Sequence, residues 1–206
     1  MSRVKDIKVK VIPSKLANEF VKRNHYSGKI VPNSKLHFGC FLDGKLGGVM
    51  SYGTPMDRSK VIHLVNTDKT TKNEKWNQML ELNRMAFSDR LPRMSESRCI
   101  AISFRLLKKH APHVKWILSF SDGCSCGDGT IYRASGFKLT QIKENSTLWL
   151  FPDGAKIASL TLTNGGDLAG RRRICEKYGA EFTSKASMEP FKKIGAKTIV
   201  TGKPKS

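Results

Sequence analysis

The segments MLELNRMAF (residues 79–87), ESRCIAISFRLLKKH (residues 96–110) and WILSF (residues 116–120) decide the fold of this chain. The first segment alternates polar and apolar residues, which predicts a half-buried strand. The second repeats apolar residues at helical spacing and predicts an amphipathic helix. The third is almost wholly apolar, as is typical of a strand that is covered on both faces. The centre of the chain is therefore expected to fold as a strand, a helix and a strand.

Strands and helices continue on either side of this centre. The pair Asp43-Gly44 between two apolar runs is a strong signal for a two-residue hairpin turn. The further predicted strands are residues 6–12, 36–42, 45–52, 137–142 and 147–151, and the further predicted helices are residues 15–24, 130–134, 167–178 and 188–193. This order predicts an α/β (α+β) domain whose mixed β-sheet is flanked by helices. The pattern weakens after Pro152, so we expect a main domain of residues 1–151 and a small basic C-terminal extension of residues 152–206.

The chain of 206 residues carries 37 Lys and Arg against 17 Asp and Glu, a formal net charge of +20. Such an excess is typical of proteins that bind a polyanion, because each phosphate that is neutralised releases counterions. Nucleic acid is the first candidate and an anionic membrane surface the second; the alternative is a charge that only keeps the chain soluble. No apolar run approaches the ~20 residues of a membrane span, and we expect a cytosolic protein.

Two polar groups lie at places where they could reach a cleft. His25-Tyr26 follows the first predicted helix and could supply a general base, an aromatic face for a nucleobase or a metal ligand; the alternative is a plain surface turn. In the strand at residues 79–87, regular alternation puts Arg84 on the same side as Leu80 and Leu82. A guanidinium that faces the core is costly unless it is paired, so Arg84 either leans into a polar cleft or meets a carboxylate.

Three arginines cluster where the long central helix is predicted to begin. Ser95 can cap this helix, and the free backbone N–H groups of a helix start attract anions. The guanidinium groups of Arg90, Arg93 and Arg98 would add to such an anion site. The alternative is ordinary capping by Ser95 with solvated arginines.

The glycine-rich loop after residues 116–120 holds the remaining candidates. Asp122 closes the predicted strand, a usual place for a catalytic side chain in such sheets, and its carboxylate could act as a general base. Cys124 and Cys126 are closer in sequence than a usual zinc-binding pair, which argues against a structural zinc site. A single metal ion held by these thiols with Asp122, Asp128 or His25 stays open; the alternative is two small thiols in a tight loop.

Five groups of residues, taken together, resemble the phage Mom DNA-modification family. The groups are residues 25–27, 81–84, 92–98, 119–122 and 131–137. The order of elements and the Tyr132 to Phe137 pattern also resemble the acyltransferase fold known as GNAT. The resemblance runs from about residue 15 to residue 151, and it depends on the shared order and spacing of all five groups. It implies that residues 1–151 form a GNAT-like catalytic domain.

The resemblance implies an enzyme that converts adenine in phage DNA to an N6-carbamoylmethyl derivative, which shields the DNA from host restriction enzymes. The active-site residues that it implies are His25, Tyr26, Arg84, Ser97, Asp122 and Tyr132. The expected partner is double-stranded DNA in the cytoplasm of an infected bacterial host, and we expect the basic run of Arg171, Arg172 and Arg173 to bind it. The single metal ion, if held, would be iron or zinc.

The donor of the added group is left open by the sequence. GNAT enzymes that use acetyl-CoA usually hold its pyrophosphate on a glycine-containing loop that enters the long helix. Here no glycine occurs between Gly53 and Gly123, and the corresponding loop carries arginines. Because backbone amides approach a pyrophosphate less closely past side chains, plain acetyl-CoA is disfavoured. The donor stays open between glycyl-tRNA, whose two-carbon unit has the size of the added group, and an acyl-CoA.

The mechanism expected from these residues begins with an adenine that leaves the duplex and stacks on Tyr26 or another exposed aromatic side chain. Asp122 would accept the amine proton, while Arg84 and the helix start at Ser97 stabilise charge on the donor. Tyr132 would protonate the leaving group or orient the donor, and His25 would be a second base or a metal ligand.

Three other functions fit parts of the sequence. They are a GNAT-like N-acyltransferase that acts on a protein or small amine, a non-catalytic nucleic-acid-binding protein on that scaffold, and a metal-dependent nuclease. The nuclease is disfavoured because no cluster of three carboxylates is evident.

Overall fold

The computed structural model describes residues 3–65, 76–121, 128–142, 145–163, 168–183 and 187–201. The chain forms two compact units, Met1–Thr140 and Gln141–Ser206. Each unit has its own β-sheet and its own hydrophobic core. None of the described helices is both long enough and apolar enough to cross a membrane.

The first unit contains five strands and four α-helices among its described residues. The strands are β1 (Lys8–Val11), β2 (Ser34–Leu42), β3 (Lys45–Gly53), β4 (Met79–Phe87) and β5 (Trp116–Leu118). The α-helices are α1 (Ser14–Asn24), α2 (Arg58–Val61), α3 (Ser95–His110) and α4 (Thr130–Ala134), and short 3-10 helices span Arg3–Asp6 and Ile62–Leu64.

The sheet of the first unit has the strand order β1-β2-β3-β4-β5. All neighbouring strands are antiparallel except β4 and β5, which are parallel and joined through α3. The predicted mixed α/β architecture is therefore confirmed. The predicted hairpin turn is also confirmed, since Asp43 and Gly44 both have positive φ angles, 52° and 75°, as a two-residue turn between twisted strands requires.

Helices cover the two faces of this sheet. On the α3 face, Tyr52 and Leu82 pack in one core with Ile100 of the helix. The Tyr52 hydroxyl lies 2.6 Å from Ser103 Oγ, which in turn donates to the Ile100 carbonyl oxygen at 2.8 Å. On the α1 face, the strands pack in a separate core with Ala17 and Val21 of the helix. Every central strand thus has one side toward each helix.

Two expectations for the first unit are wrong. Residues 137–142 form no strand, and Leu139 and Ile142 in this segment are exposed. Strand β5 lies at the edge of the sheet. It is not covered on both faces, since Trp116 is exposed. In both places apolar residues that suggested a buried strand are open to solvent.

The second unit is built around a three-stranded antiparallel sheet. Its strands are β6 (Asn145–Leu150), β7 (Lys156–Ala158) and β8 (Lys197–Thr201), in the order β7-β6-β8. Its helices are α5 (Ser159–Leu162), α6 (Leu168–Tyr178) and α7 (Glu189–Lys193). The sequence analysis missed β7 and β8. Because β6 pairs with both of them, the compact second unit begins at Gln141, earlier than the boundary after residue 151 that was expected.

Arg171 in α6 is fully buried. Its guanidinium donates to the Leu162 carbonyl oxygen, to Thr183 Oγ1 at 3.2 Å and to the Ser187 carbonyl oxygen at 2.7 Å. The same group lies over the Phe191 ring, 5.0 Å from its centroid. The guanidinium therefore joins separate segments of the second unit from inside.

This placement corrects the expectation that all three arginines of the basic run bind DNA. Arg171 is enclosed and cannot touch a phosphate without unfolding its surroundings. Arg172 and Arg173 are exposed, so the predicted DNA contact is restricted to these two.

We predict that Arg171→Met lowers the free energy of unfolding by about 3 kcal/mol or more, because buried hydrogen-bond acceptors lose their donor. Arg173→Met, on the exposed side of the same helix, is the matched control and should change it by less than about 0.5 kcal/mol. Urea unfolding followed by circular dichroism measures both. Equal stability of the two variants would contradict the buried role of Arg171.

Candidate active site

A β-bulge in strand β4 decides where Arg84 lies. Tyr52 of β3 pairs with Leu82, but the next residue, Ser51, pairs with Arg84, so Asn83 is the extra residue of the bulge. Side chains alternate along a strand, and one inserted residue reverses the side of everything that follows. Leu80 and Leu82 pack on the α3 face, as their apolar character requires.

Arg84 lies on the opposite face, the α1 face. It pairs with Ser51 and stands two residues from Ala86, which packs against α1. The expectation that Arg84 shares a side with Leu80 and Leu82 is therefore wrong, because it assumed unbroken alternation. On this face, Arg84 acts electrostatically on the Glu81 carboxyl, and its charge acts to lower the pKa of that group.

The positive charge of the Arg84 guanidinium also acts on His25, the C-cap residue that follows α1. Burial, together with the positive charge of Arg84, lowers the pKa of His25 to about 4. His25 and Arg84 are far apart in sequence, and the fold brings them together at one end of the α1 face. Near neutral pH the imidazole of His25 is uncharged while Arg84 keeps its charge.

Hydrogen bonds select one tautomer of His25. The backbone N–H of Ser27 donates to His25 Nδ1 at 3.2 Å, and Ser27 Oγ lies 2.8 Å from the same atom. A backbone N–H can only donate, so Nδ1 is an acceptor and the proton of the neutral ring is on Nε2. His25 thus presents an N–H donor from its far side.

The Tyr26 ring packs against the His25 ring, with centroids 4.2 Å apart and planes tilted by 33°. Tyr26 is nevertheless largely exposed. The predicted pair His25-Tyr26 is therefore a ring stack at the edge of the site, with the imidazole on the protected side.

A buried pair that the sequence analysis missed continues the row of polar residues. His37 of β2 lies opposite Ser51 of β3, which lies opposite Arg84 of β4. His37 Nδ1 is 2.8 Å from Ser51 Oγ, both residues are buried, and burial lowers the pKa of His37. Three adjacent strands thus contribute one polar residue each to a cross-strand row. The signal was weak, because His37 and Ser51 stand in apolar runs.

Glu81 lies on the α1 face, three residues before Arg84. Burial raises the pKa of Glu81, while the backbone N–H of Met56 and the charge of Arg84 act in the opposite direction. Within the part of the chain that the structure describes, Arg84 Nε is buried and has no hydrogen-bond partner. An unpaired buried donor of this kind costs about 1–3 kcal/mol, and a ligand or a water molecule that accepts from Arg84 Nε would remove this cost.

The bulge itself is held by amides. Ser34 Oγ donates to Asn83 Oδ1 at 2.8 Å, and Asn33 Nδ2 donates to the Thr54 carbonyl oxygen. A Cβ atom at Gly53 would overlap the Asn33 carbonyl oxygen and would stand 2.8 Å from Asn83 Nδ2. Only glycine at position 53 lets these amides approach β3, so the residue supports the bulge that aims Arg84.

Strands β4 and β5 part beside this site. They pair only as far as Glu81 and Leu118, and beyond that point Ser119 Oγ donates to the Leu82 carbonyl oxygen at 3.1 Å. Phe120 follows, largely exposed. The predicted base Asp122 and the thiols of Cys124 and Cys126 come next in the chain and lie outside the described residues.

Tyr132, another predicted active-site residue, belongs to the α3 face. Its ring packs edge-on against Phe137 at 5.4 Å, and Phe137 packs against Phe104 of α3 at 5.5 Å. Tyr132 also contacts the core that contains Tyr52. Ser121 and Tyr132 both lie near Gly129, so the segment after β5 reaches Tyr132. Tyr132 and Arg84 thus approach the parting strands from opposite faces.

The start of α3 carries the residues that were expected to bind the donor. Ser97 Oγ donates to the Met94 carbonyl oxygen at 3.3 Å, and Arg98 donates to the Lys5 carbonyl oxygen at 3.2 Å. Arg90 and Arg93 are exposed. Arg98 is therefore partly engaged by the N-terminal 3-10 helix, while the other two arginines are open to a ligand.

Ser95 does not cap α3 in the expected way. It is the first helical residue, and its hydroxyl donates back to the Pro92 carbonyl oxygen rather than accepting from a free N–H of the helix. Met94 precedes it with a left-handed φ of 70°.

The described residues do not supply a metal site. No group of three or more His, Cys, Asp or Glu side chains converges in residues 3–65, 76–121, 128–142, 145–163, 168–183 and 187–201. Of the predicted ligands, His25 and Asp128 lie among the described residues. His25 Nδ1 already accepts from Ser27, and the Asp128 carboxylate pairs with Arg133 at 2.8 Å. We derive no chemical step through a metal ion.

Comparison with known proteins finds a family that matches most of this chain. The model of the Mom protein family matches residues 6–192. The chain is 35% identical over 142 residues to the protein named Methylcarbamoylase mom of Escherichia phage Mu; the match covers 69% of this chain and 56% of that protein. The chain thus spans about half the length of the curated relative that it matches.

Among solved structures, the chain is similar to an aminoglycoside acetyltransferase from an uncultured soil metagenomic sample, crystallised with sisomicin. The TM-score is 0.42 at 10% identity, and the similarity covers 69% of this chain and 93% of that one. With a family model that matches nearly all of its residues, the chain belongs to the Mom protein family.

Proposed function

We propose that this chain is a DNA-modifying transferase that attaches a carbamoylmethyl, or glycinamide-type, group to the N6 amine of adenine in phage DNA. Its membership in the Mom family and its 35% sequence identity to the phage Mu methylcarbamoylase support this function. The net charge of +20 supports a polyanionic substrate. The modified base would no longer be recognised by restriction enzymes of the host.

The observation that carries the proposal is the placement of Arg84 on the α1 face by the bulge, with its Nε buried and without a partner among the described residues, within electrostatic range of a His25 whose Nδ1 is an acceptor. In an acyl transfer from glycyl-tRNA, N6 attacks the glycyl carbonyl carbon, negative charge builds on the carbonyl oxygen, and the tRNA hydroxyl leaves, so that N6 carries a glycyl group. The guanidinium of Arg84 and the Nε2–H of His25 are donors suited to that carbonyl oxygen. Because the surroundings exclude much of the solvent, such donors stabilise the charge more than they would in water. The carbamoylmethyl product then requires an isomerisation in which the glycyl amine attacks adenine C6 and the C6–N6 bond breaks, so that the former N6 becomes the carboxamide nitrogen.

The acceptor amine needs a base, because the lone pair of adenine N6 is delocalised into the ring. In this proposal Asp122 takes the amine proton, which leaves His25 free to act as a hydrogen-bond donor. This assignment replaces the earlier alternatives for His25, a second base or a metal ligand. Tyr132 orients the donor or protonates its leaving group from the opposite face.

The donor is proposed to bind at the start of α3. Arg90 and Arg93 offer two exposed guanidinium groups next to the first turn, and Ser97 stands in that turn. These groups suit a phosphate-bearing carrier, either glycyl-tRNA or an acyl-CoA. The partners of the enzyme would then be double-stranded DNA and, with the first donor, a tRNA, both in the cytoplasm of an infected host.

Mass spectrometry of nucleosides from DNA of cells that express the chain tests the function and the role of Arg84 together. The wild type should yield a modified deoxyadenosine, and Arg84→Met should lower its amount about 100- to 1000-fold because the oxyanion loses its main donor. Arg105→Met, an exposed arginine of α3, is the control and should act as the wild type. Unmodified DNA with the wild type would contradict the function, and full activity of Arg84→Met would contradict the site.

Substitution of His25 by Gln tests its role, because the side-chain amide of Gln can donate a hydrogen bond but cannot act as a base. We predict that His25→Gln keeps at least a tenth of the wild-type modification, while His25→Ala loses about 100-fold. Since the ring stays neutral above its pKa of about 4, the wild-type rate between pH 6 and pH 8 should not follow a titration of His25. Equal loss in the two variants would indicate a base instead.

The salt dependence of DNA binding tests whether the second unit contacts DNA. Replacing both Arg172 and Arg173 by Ala should weaken binding and reduce the slope of log K against log salt by about 2, one for each lost phosphate contact. Replacing both by Lys keeps the charges and should preserve the slope. An unchanged slope in the Ala variant would show that this side of α6 faces away from DNA. Fluorescence anisotropy of a labelled duplex provides the measurement.

A further inference from the structure

Three large apolar side chains are exposed around the segment from Glu81 to Arg84. Tyr26 is 60% exposed, Met56 is 82% exposed and Phe120 is 58% exposed. They come from three separate segments: the end of α1, the loop after β3 and the chain after β5. Single exposed apolar residues are common, but three that border one polar site indicate a binding surface.

Each of the three side chains belongs to a segment that bonds to, or is acted on by, a residue between Glu81 and Arg84 of β4. Tyr26 packs on the His25 ring, which is under the electrostatic influence of Arg84. The backbone N–H of Met56 binds the Glu81 carboxylate. Tyr26 is therefore in contact with a residue on which Arg84 acts, and the backbone of Met56 lies beside Glu81.

Phe120 is placed there by the chain before it. It follows Ser119, whose hydroxyl donates to the Leu82 carbonyl oxygen at 3.1 Å. Leu118, two residues earlier, pairs with Glu81, which lies on the α1 face. Phe120 thus stands where β4 and β5 part, close to the bulge that turns Arg84.

We infer that Tyr26, Met56 and Phe120 form an apolar rim that receives one adenine of DNA outside the base stack. This inference rests on the proposed function and names the residues that hold its substrate. A base in a duplex cannot present its amine to an enclosed site, and taking it out of the stack sacrifices its contacts with neighbouring bases. Aromatic and thioether side chains replace those contacts, while the excess of positive charge attracts the backbone on either side.

The occupant is a purine base rather than an apolar peptide, because the rim surrounds charged groups. An apolar segment of a protein would have to bury Arg84 and Glu81 without pairing them. A nucleotide instead brings a π-face for the rim, ring nitrogens that accept hydrogen bonds, and a phosphate that pairs with cations.

The test measures binding and needs no donor. Three labelled duplexes of one sequence are compared by fluorescence anisotropy: one fully paired, one with a single unpaired adenine and one with a single unpaired thymine. The wild type should bind the duplex with the unpaired adenine at least tenfold more tightly than the paired one. The duplex with unpaired thymine should bind less tightly than that with adenine, because a pyrimidine offers a smaller stacking face.

Phe120→Ala and Tyr26→Ala should each reduce the preference for unpaired adenine at least about fivefold or abolish it, and Met56→Ala should reduce it less. Phe120→Trp keeps a stacking face and should retain the preference, which guards against an effect of misfolding. Leu139→Ala removes a side chain that is 75% exposed and outside the rim, and should bind as the wild type does.

The outcomes separate this inference from the proposed function. A wild type without preference for unpaired adenine, or rim variants that keep the full preference, would overturn the rim, even where nucleoside mass spectrometry finds modified adenine. A preference that depends on the rim in a protein that leaves nucleosides unmodified would overturn the transfer reaction and uphold the rim.

Discussion

The extra residue in strand β4 is the constraint on which the site depends. Without Asn83 as a bulge, strict alternation would place Arg84 in the apolar core on the α3 face. Burial of an unpaired charge there would cost a large free energy. With it, Leu82 stays in that core and the guanidinium appears on the α1 face. The absence of a side chain at Gly53 lets the amide of Asn83 lie against β3. One inserted residue thus converts an apolar strand into the support of a charged group.

Charge and burial then divide the roles among the neighbours of Arg84. The guanidinium keeps its charge, burial and that charge hold His25 neutral, and burial raises the pKa of Glu81. The neutral His25 ring, with its proton on Nε2, and the Arg84 guanidinium are two hydrogen-bond donors. In the proposed function, they do not need to reorganise when the carbonyl oxygen of the transferred group becomes negative. In the same proposal, the exposed rim and the excess of positive charge serve a different need, the capture of a base and of its phosphates.

Much of the architecture could be predicted from the sequence, because hydrophobic periodicity and turn chemistry are local. Residues 96–110 carried a clear helical stripe, and Asp43-Gly44 fixed a hairpin. The position of Arg84 could not be predicted, since a bulge depends on pairing with another strand. Nor could the burial of Arg171, because its acceptors come from distant segments. His37 escaped notice in an apolar run, where its partner Ser51 was visible only after the strands had been aligned.

The central claim is that adenine meets the Arg84 side of the sheet. A structure of the protein bound to a duplex with one unpaired adenine tests it most directly. The account predicts that the base lies outside the helix on the α1 face, with its N6 amine near Arg84 and His25 and its ring against Tyr26 or Phe120. An adenine that stays stacked in the helix, or one that binds on the α3 face beside Tyr132 and away from Arg84, would contradict it.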